Sequence, residues 1–465
     1  MLRQWICSVG LVLWTCFSAA AVPAQRPNFV FLFADDLGWG EAGCYGGKTT
    51  LTPNLDRLAK EGTRFAHGYV SASVCSPSRA ACMTGLYPAR TGVHGHFASH
   101  AKNEERGMPD SLDPSFPTLP GALQAAGYKT AHFGKWHLGE LDASRYGFDL
   151  AKTANGGGTN QYEMPDGFYY FFKESSERFV DDAGAFMAEN KDHPFYLQLW
   201  FLEPHAPNLP HDEFVKLYRQ PKGGVPEELI IPDPLSRYKA VVSNMDYHLG
   251  RLLNKLDELG LSENTVIVFS SDNGPEDHHI SNKANTLGMG EPGPFRGRKR
   301  SLYDGGVRMP FIVRWPGVTP AGAVDNDSVV GCIDLFPTFA ALAGAELPET
   351  LDGENILAAL RGEHFERARP LFWEWRYGIA GYKMNVSPTH AVRVGKWKFY
   401  VNHDGSRKEL YDVQASPMEL DNLVSEYPDK AHEMEQLIMQ WRKTIPAWNG
   451  DSWAGDNSYP WPESY

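Results

Sequence analysis

The chain has 465 residues, 42% of them hydrophobic, with 57 acidic side chains against 44 Lys and Arg and a formal net charge of −13. That acidity argues against non-specific binding to nucleic acid or to sulfated polymers, so a polyanionic substrate has to be met by a local basic pocket. At roughly 100 to 200 residues per domain, the length predicts one large domain and one small one.

Residues 1–24 read as an export leader, with Arg3, an apolar run from Trp5 to Phe17, and small residues from Ala19 to Ala24. The apolar run is shorter than the ~20 residues a spanning helix needs. The mature chain is therefore expected to have no membrane span and to be exported, periplasmic or secreted, or lysosomal in a eukaryote. Beyond the leader lie Cys44, Cys75, Cys82 and Cys332, too few for a disulfide scaffold. Whether one bridge forms among Cys44, Cys82 and Cys332 stays open.

Asn28-Phe29-Val30-Phe31-Leu32-Phe33 is a continuous apolar run of the kind shown by a parallel strand covered on both faces, and it ends at Asp35-Asp36. Thr52-Pro53 opens a helix that Gly62 stops. Cys75-Ser76-Pro77-Ser78-Arg79 precedes small helix formers, which places Cys75 where a loop enters a helix and Arg79 one turn along on the same face. The spacing predicts a helix over 118–126 and a strand over 128–133 that delivers Gly134-Lys135-Trp136-His137. Residues 146–172 read as loop or short hairpin, 176–191 as helix, and 195–202 as a buried strand ending at Glu203-Pro204-His205. A 3.6-residue stripe runs over 236–259, and the β-branched strand 265–269 ends at Asp272-Asn273. A basic glycine-rich loop with Arg296, Arg298, Lys299 and Arg300 follows, then a strand over 307–314 and a helix over 334–343. Reactive side chains thus recur at the carboxyl ends of strands, where open α/β sheets place their sites. After about residue 350 the pattern changes to strands over 371–375, 391–400 and 409–413 and a helix over 427–444, a small antiparallel sheet with one helix. The expected division is 25–350 and 351–465.

Taken alone, Cys75 fits a buried structural thiol or a thiolate made acidic by a helix N-terminus. Asp35, Asp36, Asp272 and Asn273 offer oxygen only, which suits a hard cation such as calcium rather than zinc. Lys135 and His137, two apart in extended chain, can face one side.

Cys75-x-Pro77-x-Arg79 with Thr84-Gly85, the paired carboxylates, Gly-Lys-Trp-His around Lys135, His205-Ala-Pro and Gly-Arg-Lys299 occur in the order found in type I sulfatases, and the chain resembles that family over nearly all its mature length. It looks closest to the branch with N-acetylgalactosamine-6-sulfatase and microbial polysaccharide sulfatases. The resemblance implies an alkaline phosphatase-like α/β fold, with a mostly parallel sheet flanked by helices and a smaller antiparallel C-terminal subdomain. It implies conversion of Cys75 to Cα-formylglycine by a maturation enzyme, whose hydrate is the nucleophile. One calcium would be held by Asp35, Asp36, Asp272, Asn273 and position 75. Lys135 and Lys299 would contact sulfate, with Arg79 favouring ionisation at position 75. His205, with or without Lys299, would protonate the departing alcohol, and His137 would take a proton from the second hydroxyl. Ser416-Pro417 replaces the family's usual Asp-Pro, a departure confined to a turn.

The implied substrate is a sulfated carbohydrate. Candidates for a sugar-recognition rim are His94, His96, His100, His211, His278 and His279, with His94 and His211 taken as substrate-binding. The rival readings are a phosphate monoester or phosphonate hydrolase on the same fold, and a non-catalytic glycan-binding module with Cys75 unconverted.

Overall fold

The computed structural model of the chain describes residues 26–165, 167–219, 233–277, 289–379 and 382–446. The expected leader lies outside them. Asn28–Asp35 (β1) is buried at every position and sits inside an eight-stranded sheet. Its unbroken apolar run reflects cover on both faces.

In chain order follow Pro53–Glu61 (α1), Thr63–Tyr69 (β2), Cys75–Thr84 (α2), Leu119–Ala125 (α3), Lys129–Lys135 (β3), Leu150–Ala154 (β4), Phe168–Glu189 (α4), Phe195–Pro204 (β5) and Pro234–Glu258 (α5). Thr265–Ser271 (β6), Phe311–Arg314 (β7), Ala323–Gly331 (β8) and Leu335–Ala343 (α6) complete this layer. The strand order is β4-β3-β5-β1-β6-β7-β2-β8, and β7 runs antiparallel to both its neighbours while the other pairs are parallel. Ala34 pairs with Ser271 and Asp35 with Pro204. That register brings the ends of β1, β5 and β6 to one place.

Several elements depart from the sequence expectation. β4 is a strand in a region expected to be irregular, and α4 begins earlier than 176. β2 and β8 are strands the sequence pattern does not announce, because Arg64 and His67 interrupt the first and the half-buried Asp325 with the exposed Asn326 and Asp327 the second. β7 is confined to four residues, since Asp304–Val307 turns as a short helix.

The second sheet joins Leu371–Glu374 (β9), His390–Val394 (β10), Trp397–Val401 (β11) and Glu409–Asp412 (β12), antiparallel in the order β12-β11-β10-β9. The single strand expected over 391–400 is a hairpin that reverses at Gly395, whose φ of 55° lies in the left-handed region. Pro428–Lys443 (α7) covers one face of this sheet, with Trp441 stacked on Phe372 at a centroid separation of 4.9 Å.

The two sheets share a buried ionic seam. Lys398 on β11 donates to Asp304 Oδ1 at 2.6 Å and to the Leu302 carbonyl at 2.9 Å, while Tyr69 on β2 donates to Asp304 Oδ2 at 2.9 Å. The loop that carries Lys299 is thereby tied to the second sheet. Cys44, Cys75, Cys82 and Cys332 are all free thiols. Among the described residues no helix is long and apolar enough to cross a membrane.

Candidate active site

The site forms where the ends of β1, β3, β5 and β6 face the first turn of α2. Cys75 is the first residue of α2 and is buried, as is the rest of that helix. β1 delivers Asp35 and Asp36, and the chain after β6 delivers Asp272 and Asn273. Asp272 Oδ1 accepts from the Asp36 amide at 3.1 Å, and Asn273 Nδ2 donates to Asp36 Oδ1 at 2.7 Å. Ligand atoms of Asp35, Cys75 and Asp272 all lie within 4.8 Å of one another. Gly274 lets this turn close: a Cβ there would stand 1.9 Å from the Gly305 carbonyl oxygen.

Three cations meet the three carboxylates. Lys135, from the end of β3, pairs with Asp35. Lys299 Nζ lies 2.5 Å from Asp36 Oδ1, and Arg79 reaches Asp272 Oδ2 through Nη2 at 2.7 Å and Nε at 3.1 Å. Burial pushes Asp35 up and Asp272 up to about 6, with the neighbouring Asp35 adding to the second shift. At Asp36 burial acts the same way, but Lys299, His205 and Lys135 outweigh it and hold the carboxyl well below its usual range. Lys299 is raised in turn: burial opposes its charge, and Asp36 more than compensates.

The donor set fits one hard cation. Asp35 Oδ1 and Asn273 Oδ1 are both buried without a hydrogen-bond partner, although buried polar atoms are ordinarily satisfied. An oxygen-seeking ion would satisfy both. Cys75 contributes the one soft atom of the cluster.

The two histidines differ in chemistry. His137 sits in the left-handed region at φ 52°, as do Asp36 at 67° and Arg300 at 77°, so three non-glycine residues of this conformation cluster at the site. His137 Nε2 lies 3.2 Å from the Phe97 carbonyl oxygen. A carbonyl only accepts, so Nε2 carries the proton, and the buried Nδ1, which has no hydrogen-bond partner, holds the lone pair. Burial, then Lys135 and Arg79, keep its pKa well below the ordinary histidine value. His205 has a side chain one-third exposed (33%), with Nε2 3.9 Å from Asp36 Oδ2 and Nδ1 2.7 Å from the Ala206 carbonyl oxygen. Burial and Lys299 depress it as well.

Arg79 turns its fork to a carboxylate and not to open space beside Cys75. Its guanidinium is fully buried on Asp272 and lies over Trp200 at 5.1 Å and Phe33 at 5.5 Å. Arg296 and Arg298 brace their loop: the first donates to the Met384 and Glu419 carbonyls at 2.6 and 2.9 Å, the second to the Glu276 carbonyl at 2.9 Å. Arg300 pairs with Glu276 at 2.5 Å, a partner with no recognisable spacing in the sequence.

The rim is partly redrawn. His94 is buried, 3.7 Å from Glu374, and does not stand at the mouth. His96, half-buried, stands there instead with its ring 6.3 Å from that of His137. His211 precedes the short helix Asp212–Lys216 beside His248, and His100 is exposed and held by Asp110 at 2.6 Å. His278 and His279 lie outside the described residues.

Residues 27–345 match the sulfatase family model, and residues 290–446 match that of the N-sulphoglucosamine sulphohydrolase C-terminal region. Arylsulfatase A of Homo sapiens is 30% identical over 486 residues, covering 92% of this chain and 89% of its own. An N-acetylgalactosamine-6-O-sulfatase of Bacteroides thetaiotaomicron is 26% identical over 508 residues, covering 89% and 93%. Among solved structures, Ps i-CgsB in complex with k-i-k-neocarrahexaose superposes with a TM-score of 0.76 at 26% identity, over 93% of this chain and 96% of that one. With a family match across the whole parallel layer and a buried carboxylate cluster at its strand ends, the chain belongs to the sulfatase family and is a sulfuric ester hydrolase.

Proposed function

We propose that the chain, exported and matured at Cys75 to Cα-formylglycine by a maturation enzyme, releases inorganic sulfate from a sulfated carbohydrate with one calcium held by Asp35, Asp36, Asp272, Asn273 and position 75. The observation that carries this reading is the convergence of Asp35, Cys75 and Asp272 within 4.8 Å in a buried site. Sulfur is a poor partner for calcium, and an oxygen-bearing side chain at position 75 would make the set all oxygen. The names of the relatives, an N-acetylgalactosamine-6-O-sulfatase among them, support the substrate class.

When present, calcium supplies a fixed positive charge beside the sulfuryl oxygens, and the hydrated aldehyde at position 75 supplies the attacking hydroxyl. The remaining work falls to side chains of this chain. Lys135 and Lys299, both buried and cationic, stabilise the charge that grows on the sulfuryl oxygens where water does not screen it. Arg79 holds Asp272 in place as a positioning residue. His137, neutral with its Nδ1 lone pair free, is prepared to take a proton and serves as general base. His205 is the partly exposed imidazole of the pair. Its Nδ1–H is fixed on the Ala206 carbonyl, which leaves Nε2 to hand a proton to the departing alcohol once an anionic substrate has raised its basicity, with Lys299 adjacent.

The test combines two measurements. Mass spectrometry of the tryptic peptide containing position 75, from protein co-expressed with a maturation enzyme, should show the thiol-to-aldehyde change. Sulfate release should then be found within a panel of sulfated oligosaccharides. An unmodified thiol in fully active protein would exclude this reading, and a modified peptide with no carbohydrate turnover would exclude its substrate class.

A further inference from the structure

One positive charge without a carboxylate partner among the described residues, that of Arg106, lies one imidazole away from His137 in a protein whose net charge is −13. Arg106, which ends the short helix His100–Glu105, directs Nη1 and Nη2 to within 3.5 Å of His96 Nε2 and donates from Nη1 to the His96 carbonyl at 2.8 Å. Its guanidinium lies 5.6 Å from the centre of the Tyr377 ring, whose hydroxyl donates back to the Arg106 carbonyl at 3.4 Å. Gly95 permits this packing, since a Cβ there would come within 2.8 Å of Tyr377 Cε2. The segment is also held from below: Asn103, buried, accepts from the Ala98 amide at 2.9 Å and donates to the Ala98 carbonyl at 3.1 Å and to Asp110 at 3.0 Å.

Charge pairing separates Arg106 from the other basic groups nearby. Lys299 is matched by Asp36 and Arg300 by Glu276. Arg106 has no carboxylate within ion-pair distance among the described residues, and its contacts are a carbonyl, an imidazole and an aromatic face. Burial first, then Arg106 and, farther off, Lys299 and Arg300, push His96 down to about 3. It is therefore a neutral donor and acceptor at the mouth of the site. Both Arg106 and His96 are half-buried, so they are accessible and yet partly shielded from water, the condition under which a charge-assisted hydrogen bond counts most.

We propose that Arg106 and His96, backed by Tyr377, bind a second anionic group of the substrate, a carboxylate or sulfate on the sugar residue next to the one being desulfated. This rests on the reading of the substrate as a sulfated carbohydrate. Arg106 lies one imidazole beyond His137, and the proposed binding mode puts the neighbouring sugar on that side of the reacting ester. The preferred substrate is then a fragment of a polyanionic glycan, with the positive charge of Arg106 confined to the place where the second charge arrives.

The experiment uses the matured full chain and four substrates sharing one sulfated sugar: the monosaccharide, a neutral disaccharide, a disaccharide with a uronic carboxylate, and a disaccharide with a second sulfate. Arg106→Gln should lower kcat/KM on one or both charged disaccharides by about 10- to 100-fold, mainly through KM, the range expected for hydrogen bonds to a charged group. It should leave the monosaccharide and the neutral disaccharide within about two-fold. Arg106→Lys should recover part of the loss, and His96→Gln should show the same selectivity if Arg106→Gln fails to fold. Comparing the carboxylate and sulfate arms identifies which anion is read. Equal loss on charged and neutral disaccharides, or no loss on either charged one, overturns the proposal while the substrate class stands. Wild-type protein inactive on all four removes the substrate class itself, and this proposal with it.

Discussion

Arg79 and Asp272, 193 positions apart, form a fully buried pair in which the guanidinium meets one carboxylate oxygen through two nitrogens, at 2.7 and 3.1 Å. The arginine that follows Cys75 by one helical turn thus orients a metal-type carboxylate across the sheet. Its flat face lies over Trp200 and Phe33, a packing that an ammonium cannot reproduce.

Arg79→Ala leaves Asp272 buried with no guanidinium partner, and loss of one member of a buried pair costs about 3 to 5 kcal/mol. The expected outcome is a fall of that size in unfolding free energy by denaturant titration, together with loss of sulfate release. Arg79→Lys should recover only part of both. A variant as stable as the parent would show that the pair does not hold Asp272.

Removing divalent cations should destabilise the native chain. With ligand at about 100 times its Kd, a bound ion adds roughly 2.7 kcal/mol, so chelation should lower Tm by several degrees and added calcium should restore it. Asp272→Asn and Asn273→Ala should abolish the calcium-dependent part of Tm. A Tm indifferent to chelator in the parent would argue against an ion among these oxygens.

His137→Ala should reduce kcat by about 10²- to 10⁴-fold, the usual contribution of a positioned base. The protein loses one hydrogen bond, to the Phe97 carbonyl, so circular dichroism and Tm should change little. Retained turnover would remove His137 from the role of base.

The ionic seam between the sheets predicts a pH dependence separate from catalysis. Burial, set against Lys398 and reinforced by Asp304, raises Glu419 to about 7, while at Asp304 burial is outweighed by Lys398 and Arg308 and the carboxyl stays well below its usual range. A carboxyl raised from 4.5 to about 7 binds its proton more tightly in the folded chain. Its stabilising contribution is complete below the unfolded value and disappears as pH climbs through the folded one. Asp304 acts in the opposite sense and only in acid. Between pH 5 and 8 the parent should therefore lose about 1 to 3 kcal/mol that Glu419→Gln does not lose. Identical pH profiles for the two proteins would contradict this.

Much of the architecture is written in local pattern. The apolar run of β1, the striped α5 and the glycine that ends α6 announce themselves because each depends on neighbours within a turn or a pleat. The small antiparallel sheet is visible as strands without helices between them. β2 and β8 are not, since a strand that carries arginine, histidine or a run of Asp and Asn on an accessible stretch has no clean alternation to read. The 391–400 hairpin hides for another reason: a two-residue reversal at Gly395 and Lys396 shifts the alternation of apolar and basic residues on either side of it by only one position.

At the site, the kinds of residue and their position at strand ends follow from the sequence alone, because each motif is a short segment whose chemistry is carried by adjacent side chains. Partnership does not. Lys299 meets Asp36 across 263 positions and Arg79 meets Asp272 across 193, and the partners are settled only when the fold brings α2, the end of β3 and the Lys299 loop against the ends of β1 and β6. The same holds for the rim, where His94 turns in toward Glu374 and His96 turns out beside His137. Two histidines two positions apart look alike in a sequence, and what distinguishes them is the C-terminal sheet that supplies a carboxylate to one and leaves the other to the mouth of the site.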